Sequence, residues 1–312
     1  MIIVTGGAGF IGSNLINRLN QMGFQDILIV DQFVDPKQFR NLIGLKYIDI
    51  MDPQDFMMQN HLYAKTEVIF HLGANTNTTE YDSSIMMNQN YTFSKDLINW
   101  AIKVNIRVIY ASSAAVYGDG SRGFMEKIEC EEPLNVYGFS KYQLDQWIRS
   151  RFKEMNSQIV GLRFFNVFGP QENHKGSMAS VMCQFHKQIE ETDSLQVFEG
   201  SENFYRDFIY VKDAVDIMLF FFDRNHFSGI FNAGTGHATS FIEFAHEFQA
   251  NYEETLLEMV PFPEQLNGNY QRFTQANLTE LQNIGYDCNF TPLKDAVAEY
   301  VDILKKNNGY LH

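Results

Sequence analysis

Two side chains that can exchange protons lie four residues apart near the middle of the chain. Tyr137 and Lys141 fall in a segment whose pattern predicts a helix, so both project from the same face of it. A phenol titrates at about 10 in water, and a neighbouring ammonium group favours its ionised form. The pair therefore predicts that Tyr137 acts as a general base near neutral pH. Ser113 ends a predicted strand, and its hydroxyl is expected to hold a substrate oxygen beside the phenol.

A glycine-rich turn lies between the first predicted strand and the first predicted helix. Gly6 permits the tight turn, Gly9 lets a pyrophosphate approach the backbone, and Gly12 lets the helix pack closely on the strand. The backbone N–H groups at the start of the helix then face the phosphates. Asp31 ends the second predicted strand and can accept hydrogen bonds from an adenosine ribose. These features predict a dinucleotide site in which Lys141 would also hold the nicotinamide ribose.

Alternating strand and helix patterns indicate a parallel sheet with helices on both faces. We therefore expect an α/β fold, a Rossmann-like doubly wound parallel sheet with a smaller, interwoven C-terminal substrate-binding domain. The dinucleotide-binding domain would comprise residues 1–167 plus about 208–235, and the substrate-binding domain about 168–207 plus 236–312. Strands are predicted at 1–5, 26–31, 45–50, 68–72, 108–111 and 159–165, and helices at 84–105 and 137–154.

Composition and charge narrow the function further. The 312 residues are 45% hydrophobic and 20% charged, which is typical of a soluble globular protein. A net charge of −14 argues against a nucleic-acid-binding surface, although a local basic pocket for a small phosphate ligand stays possible. Three widely spaced cysteines fit neither a disulfide framework nor a metal site, so we expect no metal and a cytoplasmic location. Neither a signal peptide nor a membrane span is predicted.

The glycine turn, Ser113 and the Tyr137/Lys141 pair together resemble the extended short-chain dehydrogenase/reductases, which rework nucleotide sugars. Over essentially the whole chain, the sequence is similar to the ADP-glyceromanno-heptose 6-epimerases of that superfamily. The stretches that carry this closer resemblance are Met1–Asn14, Thr78–Glu80, Glu132–Lys141, Asn156–Gly161, His174–Val181 and Phe198–Phe204.

The resemblance implies an isomerase of lipopolysaccharide core biosynthesis. Such an enzyme interconverts ADP-D-glycero- and ADP-L-glycero-D-manno-heptose through a transient ketone at C6, using bound NADP, with NAD as the alternative. Two bases serve the two epimers, and they correspond to Tyr137 and Lys175 here; Lys175 would then need a lowered pKa. The resemblance also implies a homo-oligomer, a pentamer in that family.

Further contacts follow from the resemblance alone. Besides Gly6, Gly9, Gly12, Asp31 and Lys141, the cofactor contacts it implies are Phe10, Ile11, Gln32, Gln38, Leu72, Gly73, Ala74, Asn75, Thr76, Asn90, Val167 and Lys175. The substrate contacts it implies are Asn166, Ser177, Gln184, Phe198, Glu199, Gly200, Ser201, Arg206 and Tyr270.

The sequence departs from the family pattern near the cofactor. Lysines close to the 2′-phosphate are replaced by Gln38 and Pro53, although Lys37 and Arg40 are near enough to substitute. Asp31 alone favours an unphosphorylated ribose, but NADP stays our first expectation.

The substrate side and the edge of the sheet carry two more departures. Gln184 stands where the family has a substrate-contacting histidine, and His186 two residues on would point elsewhere on a helix. Leu72 stands before Gly73, where an acidic residue is common; the change concerns packing more than chemistry.

Three other functions are compatible with parts of this pattern. A nucleotide-sugar 4,6-dehydratase needs an acid/base pair directly after the strand-end serine, where this chain has Ala114 and Ala115. A UDP-hexose 4-epimerase uses a single tyrosine and would not need Lys175. A non-catalytic, NADP-binding regulator would not need Tyr137 or Lys141, and both are present.

Overall fold

The computed structural model describes residues 1–77, 82–262 and 271–312. The strands of the described chain are β1 (Ile2–Thr5), β2 (Ile27–Val30), β3 (Asp49–Met51), β4 (Val68–His71), β5 (Arg107–Ser113), β6 (Ile159–Phe164), β7 (Asn166–Phe168), β8 (Ser194–Phe198), β9 (Tyr205–Tyr210), β10 (Gly229–Ala233), β11 (Ala238–Ser240) and β12 (Leu256–Val260). The helices are α1 (Phe10–Gln21), α2 (Pro53–Gln59), α3 (Ser83–Met87), α4 (Phe93–Lys103), α5 (Val136–Arg149), α6 (Val181–Thr192), α7 (Val211–Asp223), α8 (Phe241–Gln249), α9 (Thr279–Asn283) and α10 (Leu293–Asn307).

Seven strands form the central sheet in the order β10-β6-β5-β4-β1-β2-β3, with every neighbouring pair parallel. Every residue of β1, β2, β4 and β6 is buried, which is why these strands are mostly apolar; Thr5, His71 and Arg163 are their buried polar members. Strand order reverses between β1 and β4, the point where open α/β sheets bind ligands. The predicted Rossmann-like doubly wound sheet is confirmed.

Helices cover both faces of this sheet. One hydrophobic core combines α1 and α7 with one face of the central strands, and a second combines α4 and α5 with the other face. The apolar run 217–222, too short for a membrane span, forms the second half of α7 and is buried. Among the described residues, no helix is long and apolar enough to cross a membrane.

Two smaller sheets lie beyond the carboxyl end of β6. One has the order β11-β9-β7 and the other pairs β12 with β8 in parallel. A third hydrophobic core joins these strands to α6, α8 and α10. The division into two interwoven domains stays a prediction, although the structure does place the late strand β10 in the central sheet.

Three predicted boundaries were wrong. The strand expected at 45–50 is only Asp49–Met51, because Leu45 and Tyr47, which supplied its apolar alternation, pack on the core from the loop before the strand. The helix expected at 84–105 is divided into α3 and α4 by a π-helical turn at Asn88–Thr92. The helix expected at 137–154 ends at Arg149, and a separate 3-10 turn follows at Phe152–Glu154.

Candidate active site

The glycine turn has the close packing that its spacing predicts. Gly6 has φ +68°, and a Cβ there would lie 2.6 Å from the backbone nitrogen of Gly73. A Cβ on Gly12 would lie 2.1 Å from the carbonyl oxygen of Gly6, so only glycine lets α1 approach the turn. Gly9 is less crowded: its Cβ would lie 3.1 Å from that same oxygen. The first helical turn is thus left open for a phosphate group.

Asp31 lies beside this turn, where the sequence predicts the adenosine ribose. Its carboxylate accepts a 2.7 Å hydrogen bond from the backbone N–H of Ala8. Burial raises the pKa of Asp31 to about 6, against the lowering effect of the N–H groups of Ala8 and Gln32. An acceptor held in this position suits a ribose hydroxyl.

Gln38, Lys37 and Arg40 were expected near the 2′ position of the adenosine ribose. The Gln38 side chain is buried, and its Oε1 accepts hydrogen bonds from the backbone N–H groups of Val34 and Asp35. Arg40 stacks on the ring of Tyr310, with its guanidinium carbon 4.8 Å from the ring centroid. Lys37 is exposed. Gln38 and Arg40 therefore both have other contacts.

A buried hydrogen-bond chain fixes the end of β4 beneath the glycine turn. The Thr5 hydroxyl accepts from the Gly73 N–H at 3.0 Å and bonds His71 Nδ1 at 2.7 Å. On its other side, His71 Nε2 bonds the Ser94 hydroxyl at 2.7 Å. Burial and the nearby Lys141 cation lower the pKa of His71 to about 3, so this histidine is neutral. These hydrogen bonds hold Gly73 against the glycine turn, where the strand order reverses between β1 and β4.

Asn90 holds the next residues of the same loop. Its Oδ1 accepts from the Asn75 N–H at 2.7 Å, and its Nδ2 donates to the Asn75 carbonyl at 2.8 Å. The same amide donates to the Ser140 hydroxyl at 3.2 Å, and Ser140 bonds the carbonyl of Tyr137 at 2.7 Å. Asn90 lies in the π-helical turn, a feature often found at functional sites. It connects the expected cofactor loop to the helix of the expected base.

Tyr137 lies in the first turn of α5, which begins where Asn135 accepts a hydrogen bond from the Gly138 N–H. A Cβ on Gly138 would lie 2.7 Å from the carbonyl oxygen of Ala115, so glycine brings the helix start against the turn that follows Ser113. Burial raises the pKa of Tyr137, and a hydrogen bond with Ser113 acts in the opposite direction. The serine and the phenol are therefore neighbours, as expected.

Lys141 differs from expectation in how it is used. Its Nζ donates a 2.9 Å hydrogen bond to the carbonyl oxygen of Ala111, and the side chain is 3% exposed. Burial lowers the pKa of Lys141 to about 8, while Asp145 acts to raise it. The expected lowering of the Tyr137 pKa by a neighbouring ammonium is not found. Burial raises this pKa, and only the hydrogen bond with Ser113 opposes the rise.

A buried ionic network lies directly behind this pair. Arg163 is fully buried and donates to the Asp145 carboxylate through Nε at 3.0 Å and Nη2 at 2.8 Å. Asp145 also accepts from the Tyr110 hydroxyl at 2.9 Å and from Ser112 at 3.0 Å. Glu131 accepts from the same guanidinium at 2.5 Å. The network ties α5 to β5 and β6, the strands whose ends border the site.

Lys175 reaches the same cavity from the opposite side. Its Nζ lies 5.2 Å from the ring centroid of Phe10, at the start of α1. The cavity has a volume of about 360 Å³. Residues from the start of α1, the loop after β4, the end of β5, α5, β7 and the Lys175 segment line it together, and they include Phe10, Ile11, Leu72, Ala74, Thr76, Ser113, Tyr137, Lys141, Asn166, Val167 and Lys175.

The expected substrate contacts are not all gathered in this cavity. Gln184 donates from Nε2 to the carbonyl of Gly176 at 2.9 Å, so it lies beside the Lys175 segment. Phe198 packs edge-on against Phe262, 5.6 Å between centroids.

Arg206 lies outside the cavity lining and is mostly buried. Its guanidinium donates to the carbonyls of Tyr205 and Gln271 and lies 5.5 Å from the Phe241 ring centroid. Ser177, Glu199, Gly200 and Ser201 also lie outside the lining. Tyr270, like residues 78–80, falls outside the described residues.

Sequence reasoning missed three residues that hold the site in place: Asn41, Asp145 and Glu172. Asn41 is fully buried and donates from Nδ2 to the carbonyls of Ala8 and Gln171, each at 3.0 Å. Asp145 lies one helical turn beyond Lys141, a spacing that was available as a signal. Nothing in the local sequence marks Asn41 or Glu172, because their partners are distant along the chain.

Comparison with known proteins decides the family. The model of the NAD dependent epimerase/dehydratase family matches residues 2–234. The chain belongs to this family. It is 47% identical over 318 aligned positions to an ADP-L-glycero-D-manno-heptose-6-epimerase of Brachyspira hyodysenteriae, with 100% of both proteins covered. The resemblance to the heptose epimerases is thereby confirmed, and so is a nicotinamide cofactor at the family level.

Solved structures agree with this placement. The Helicobacter pylori ADP-L-glycero-D-manno-heptose-6-epimerase superimposes with a TM-score of 0.84 at 28% identity, covering 98% of this chain and 96% of that one. The Thermotoga maritima UDP-glucose 4-epimerase superimposes with a TM-score of 0.82 at 23% identity, covering 98% and 99%, and shows the shared fold.

Proposed function

We propose that this protein interconverts the two C6 epimers of ADP-glycero-D-manno-heptose through a transient C6 ketone, as an isomerase of lipopolysaccharide core biosynthesis. The observation that carries the proposal is that Tyr137 and Lys175 line one cavity from different elements. Tyr137 comes from α5, and Lys175 comes from the segment between β7 and α6.

Epimerisation at a secondary alcohol explains why two proton-transfer groups are needed. The two epimers carry their hydroxyl and hydrogen on opposite sides of C6, while the redox partner stays on one side. A single fixed base cannot reach both hydroxyls in good geometry, since proton transfer needs heavy atoms within about 3 Å. We assign one epimer's hydroxyl proton to Tyr137 and the other's to Lys175, with Ser113 orienting the oxygen beside the phenol.

The residues present fit a nicotinamide dinucleotide. The glycine turn leaves space for a pyrophosphate at the start of α1, and the Asp31 carboxylate, bonded to the Ala8 N–H of that turn, is an acceptor suited to a ribose hydroxyl. The bound nicotinamide supplies a hydride acceptor and donor for C6, with no net redox change. Asn90 and Lys141 shape the nicotinamide end, Asn90 through the Asn75 backbone and Lys141 through its position beneath the cavity.

NADP is the cofactor that the resemblance implies, with Lys37 as the exposed cation that would meet a 2′-phosphate. NAD is the second candidate, and a specific observation favours it. Gln38 and Arg40 are engaged with the loop backbone and with Tyr310, while a carboxylate stands at the ribose position. An ionised carboxylate repels a phosphate and accepts from a free hydroxyl, so the presence of Asp31 supports NAD.

The substrate's nucleotide end is assigned to the outer part of the site. Phe198 presents a partly exposed ring, which suits stacking on a base, and Arg206 and Ser177 are the proposed contacts to the diphosphate and sugar. We also propose, from the resemblance, that the protein works in the cytoplasm as a homo-oligomer, with a pentamer as the expected form.

The test is incubation of the purified protein with ADP-D-glycero-D-manno-heptose, followed by chromatographic separation of the epimers. We expect interconversion without added cofactor, and a rate loss of at least about 10²-fold for Tyr137→Phe and for Lys175→Ala. Lys153→Ala, an exposed lysine on a 3-10 turn outside the cavity lining, is the matched control and should keep full activity.

Two outcomes would point elsewhere. Full activity of Lys175→Ala toward UDP-glucose, with none toward the heptose, would identify a UDP-hexose 4-epimerase. Cofactor binding with complete retention of heptose configuration would identify a non-catalytic, NADP-binding regulator. Stripping the protein and reconstituting it with NAD or NADP in parallel decides the cofactor.

A further inference from the structure

The segment that carries Lys175 has a backbone that depends on side-chain support. It forms a 3-10 turn at Asn173–Met178 that is interrupted at Gly176, where φ is 55° and ψ is −122°. Within the turn, the Lys175 N–H donates to the carbonyl of Glu172 at 3.0 Å. The position of Lys175 is therefore set by how residue 172 is held.

Glu172 is held by three donors around one buried carboxylate. Its Oε2 accepts from the Ser180 N–H at 2.6 Å, and its Oε1 accepts from the Ser180 hydroxyl at 2.5 Å. The Tyr300 hydroxyl, from the middle of α10, donates to Oε1 at 3.0 Å. Both Glu172 and Tyr300 are fully buried. The carboxylate thus joins the two ends of the Lys175 segment and ties them to a helix far along the chain.

Further bonds place the same segment between the glycine turn and the residues after α10. Asn41 donates to the carbonyl of Gln171, as it does to that of Ala8. The Gln171 N–H donates to the carbonyl of Gly309 at 2.8 Å, and Asn173 donates from Nδ2 to the carbonyl of Asn308 at 2.7 Å. The segment is therefore supported from both sides at its start, while Lys175 extends over Phe10 into the cavity.

We infer that Glu172 is a positioning residue for Lys175 and that Tyr300 fixes Glu172 in the orientation this requires. The inference rests on the proposed function, since it gives Lys175 a proton-transfer role that needs a defined position. Placement errors of about 1 Å near the reacting atoms cost on the order of 10²-fold in rate. Burying a charged carboxylate costs free energy, so a buried carboxylate with three donors is an unfavourable way to do no more than close a loop.

The experiment uses Tyr300→Phe, which deletes one donor, and Glu172→Gln, which puts an amide N–H₂ among three donors. Each is combined with wild-type Lys175 and with Lys175→Ala, and epimer interconversion is followed over long incubations, with ethylamine added to raise the Lys175→Ala rate. We expect a loss of about tenfold for Tyr300→Phe and more for Glu172→Gln in the presence of Lys175. On the Lys175→Ala background, each second substitution should change the rate by less than about twofold.

The matched control is Tyr252→Phe. It deletes a tyrosine hydroxyl that bonds His186 Nδ1 at 2.7 Å, and Tyr252 packs on the hydrophobic core that contains Tyr300. It should leave the rate unchanged. Equal losses for Tyr300→Phe with and without Lys175 would overturn the inference and assign the pair to general stability. No loss on either background would overturn it as well.

The proposed function can fail separately from this inference. A wild-type protein that does not epimerise the heptose refutes the function. A wild-type protein that epimerises it with dependence on Lys175, but without the predicted non-additivity, refutes only the role of Glu172 and Tyr300.

Discussion

The Asp31 carboxylate and the backbone N–H of Ala8 form a 2.7 Å hydrogen bond that joins the end of β2 to the glycine turn. The bond holds the carboxylate beside the turn, where we propose the adenosine ribose binds, and burial raises its pKa to about 6. A group whose pKa is higher in the folded state than in the unfolded state binds more protons when folded. The free energy of unfolding therefore falls as the pH rises and the group ionises. Asp31 therefore opposes folding at neutral pH.

Asp31→Asn should stabilise the cofactor-stripped protein while weakening dinucleotide binding. The gain should be about 1–3 kcal/mol at pH 7, where the wild-type carboxylate is ionised, and should vanish toward about pH 4, below which both states are protonated. Urea unfolding at a series of pH values measures the first effect, and titration with NAD and NADP measures the second. A pH-independent stability difference would contradict this account of the carboxylate.

Gly12 and Gly9 should respond differently to the same methyl group. Gly12→Ala places a Cβ 2.1 Å from the Gly6 carbonyl oxygen, so we expect a loss of about 1–3 kcal/mol of stability together with loss of cofactor binding. Gly9→Ala meets the same oxygen only at 3.1 Å and has φ −79°, which alanine adopts freely. Its stability should change by less than about 1 kcal/mol.

The discriminating measurement for this glycine pair is dinucleotide affinity. Gly9→Ala should bind markedly less cofactor despite near-normal unfolding, because its methyl group occupies the approach of the pyrophosphate. Wild-type affinity in a folded Gly9→Ala protein would show that the phosphates lie elsewhere.

The sequence allowed the central sheet and the glycine roles to be predicted, because both follow from local patterns. The buried strands β1 and β4 are apolar except for their last residues, and Gly12 is required by its contact with Gly6 a few residues away. Strand β3 was misplaced because Leu45 and Tyr47 alternate as in a strand but pack on the core from the preceding loop.

The supports of the site were not predictable in this way. Tyr300 and Glu172 are separated by 128 residues, and Asn41 and Gln171 by 130, so their pairing follows from the tertiary fold. Each is a polar residue whose local context is an ordinary helix or turn. Lys175 and its pairing with Tyr137 were singled out only by resemblance, and the structure adds that both side chains line one cavity.

Asp145→Asn should strongly destabilise the protein, because Asp145 compensates the fully buried Arg163 cation. Breaking one side of a buried ion pair typically costs about 3–5 kcal/mol. Asp302→Asn is the matched control: it removes a carboxylate from the exposed i,i+4 pair with Lys306 and should cost less than about 0.5 kcal/mol. Chemical denaturation of the three proteins decides this, and equal midpoints for both variants would contradict the electrostatic role assigned to Asp145.

Lys141 should make stability rise with pH in the alkaline range. Burial lowers its folded-state pKa to about 8, below the ordinary value near about 10.5, so between these values the unfolded chain binds more protons than the folded one. Raising the pH through this window relieves the cost of the buried cation, which lies near the neutral His71 and is only partly balanced by Asp145. Lys141→Met should remove this rise while also lowering epimerase activity. Unfolding free energies of the cofactor-stripped proteins at about pH 7.5, 9 and 10 provide the comparison; parallel pH profiles for wild type and Lys141→Met would show that Lys141 is not desolvated in the folded protein.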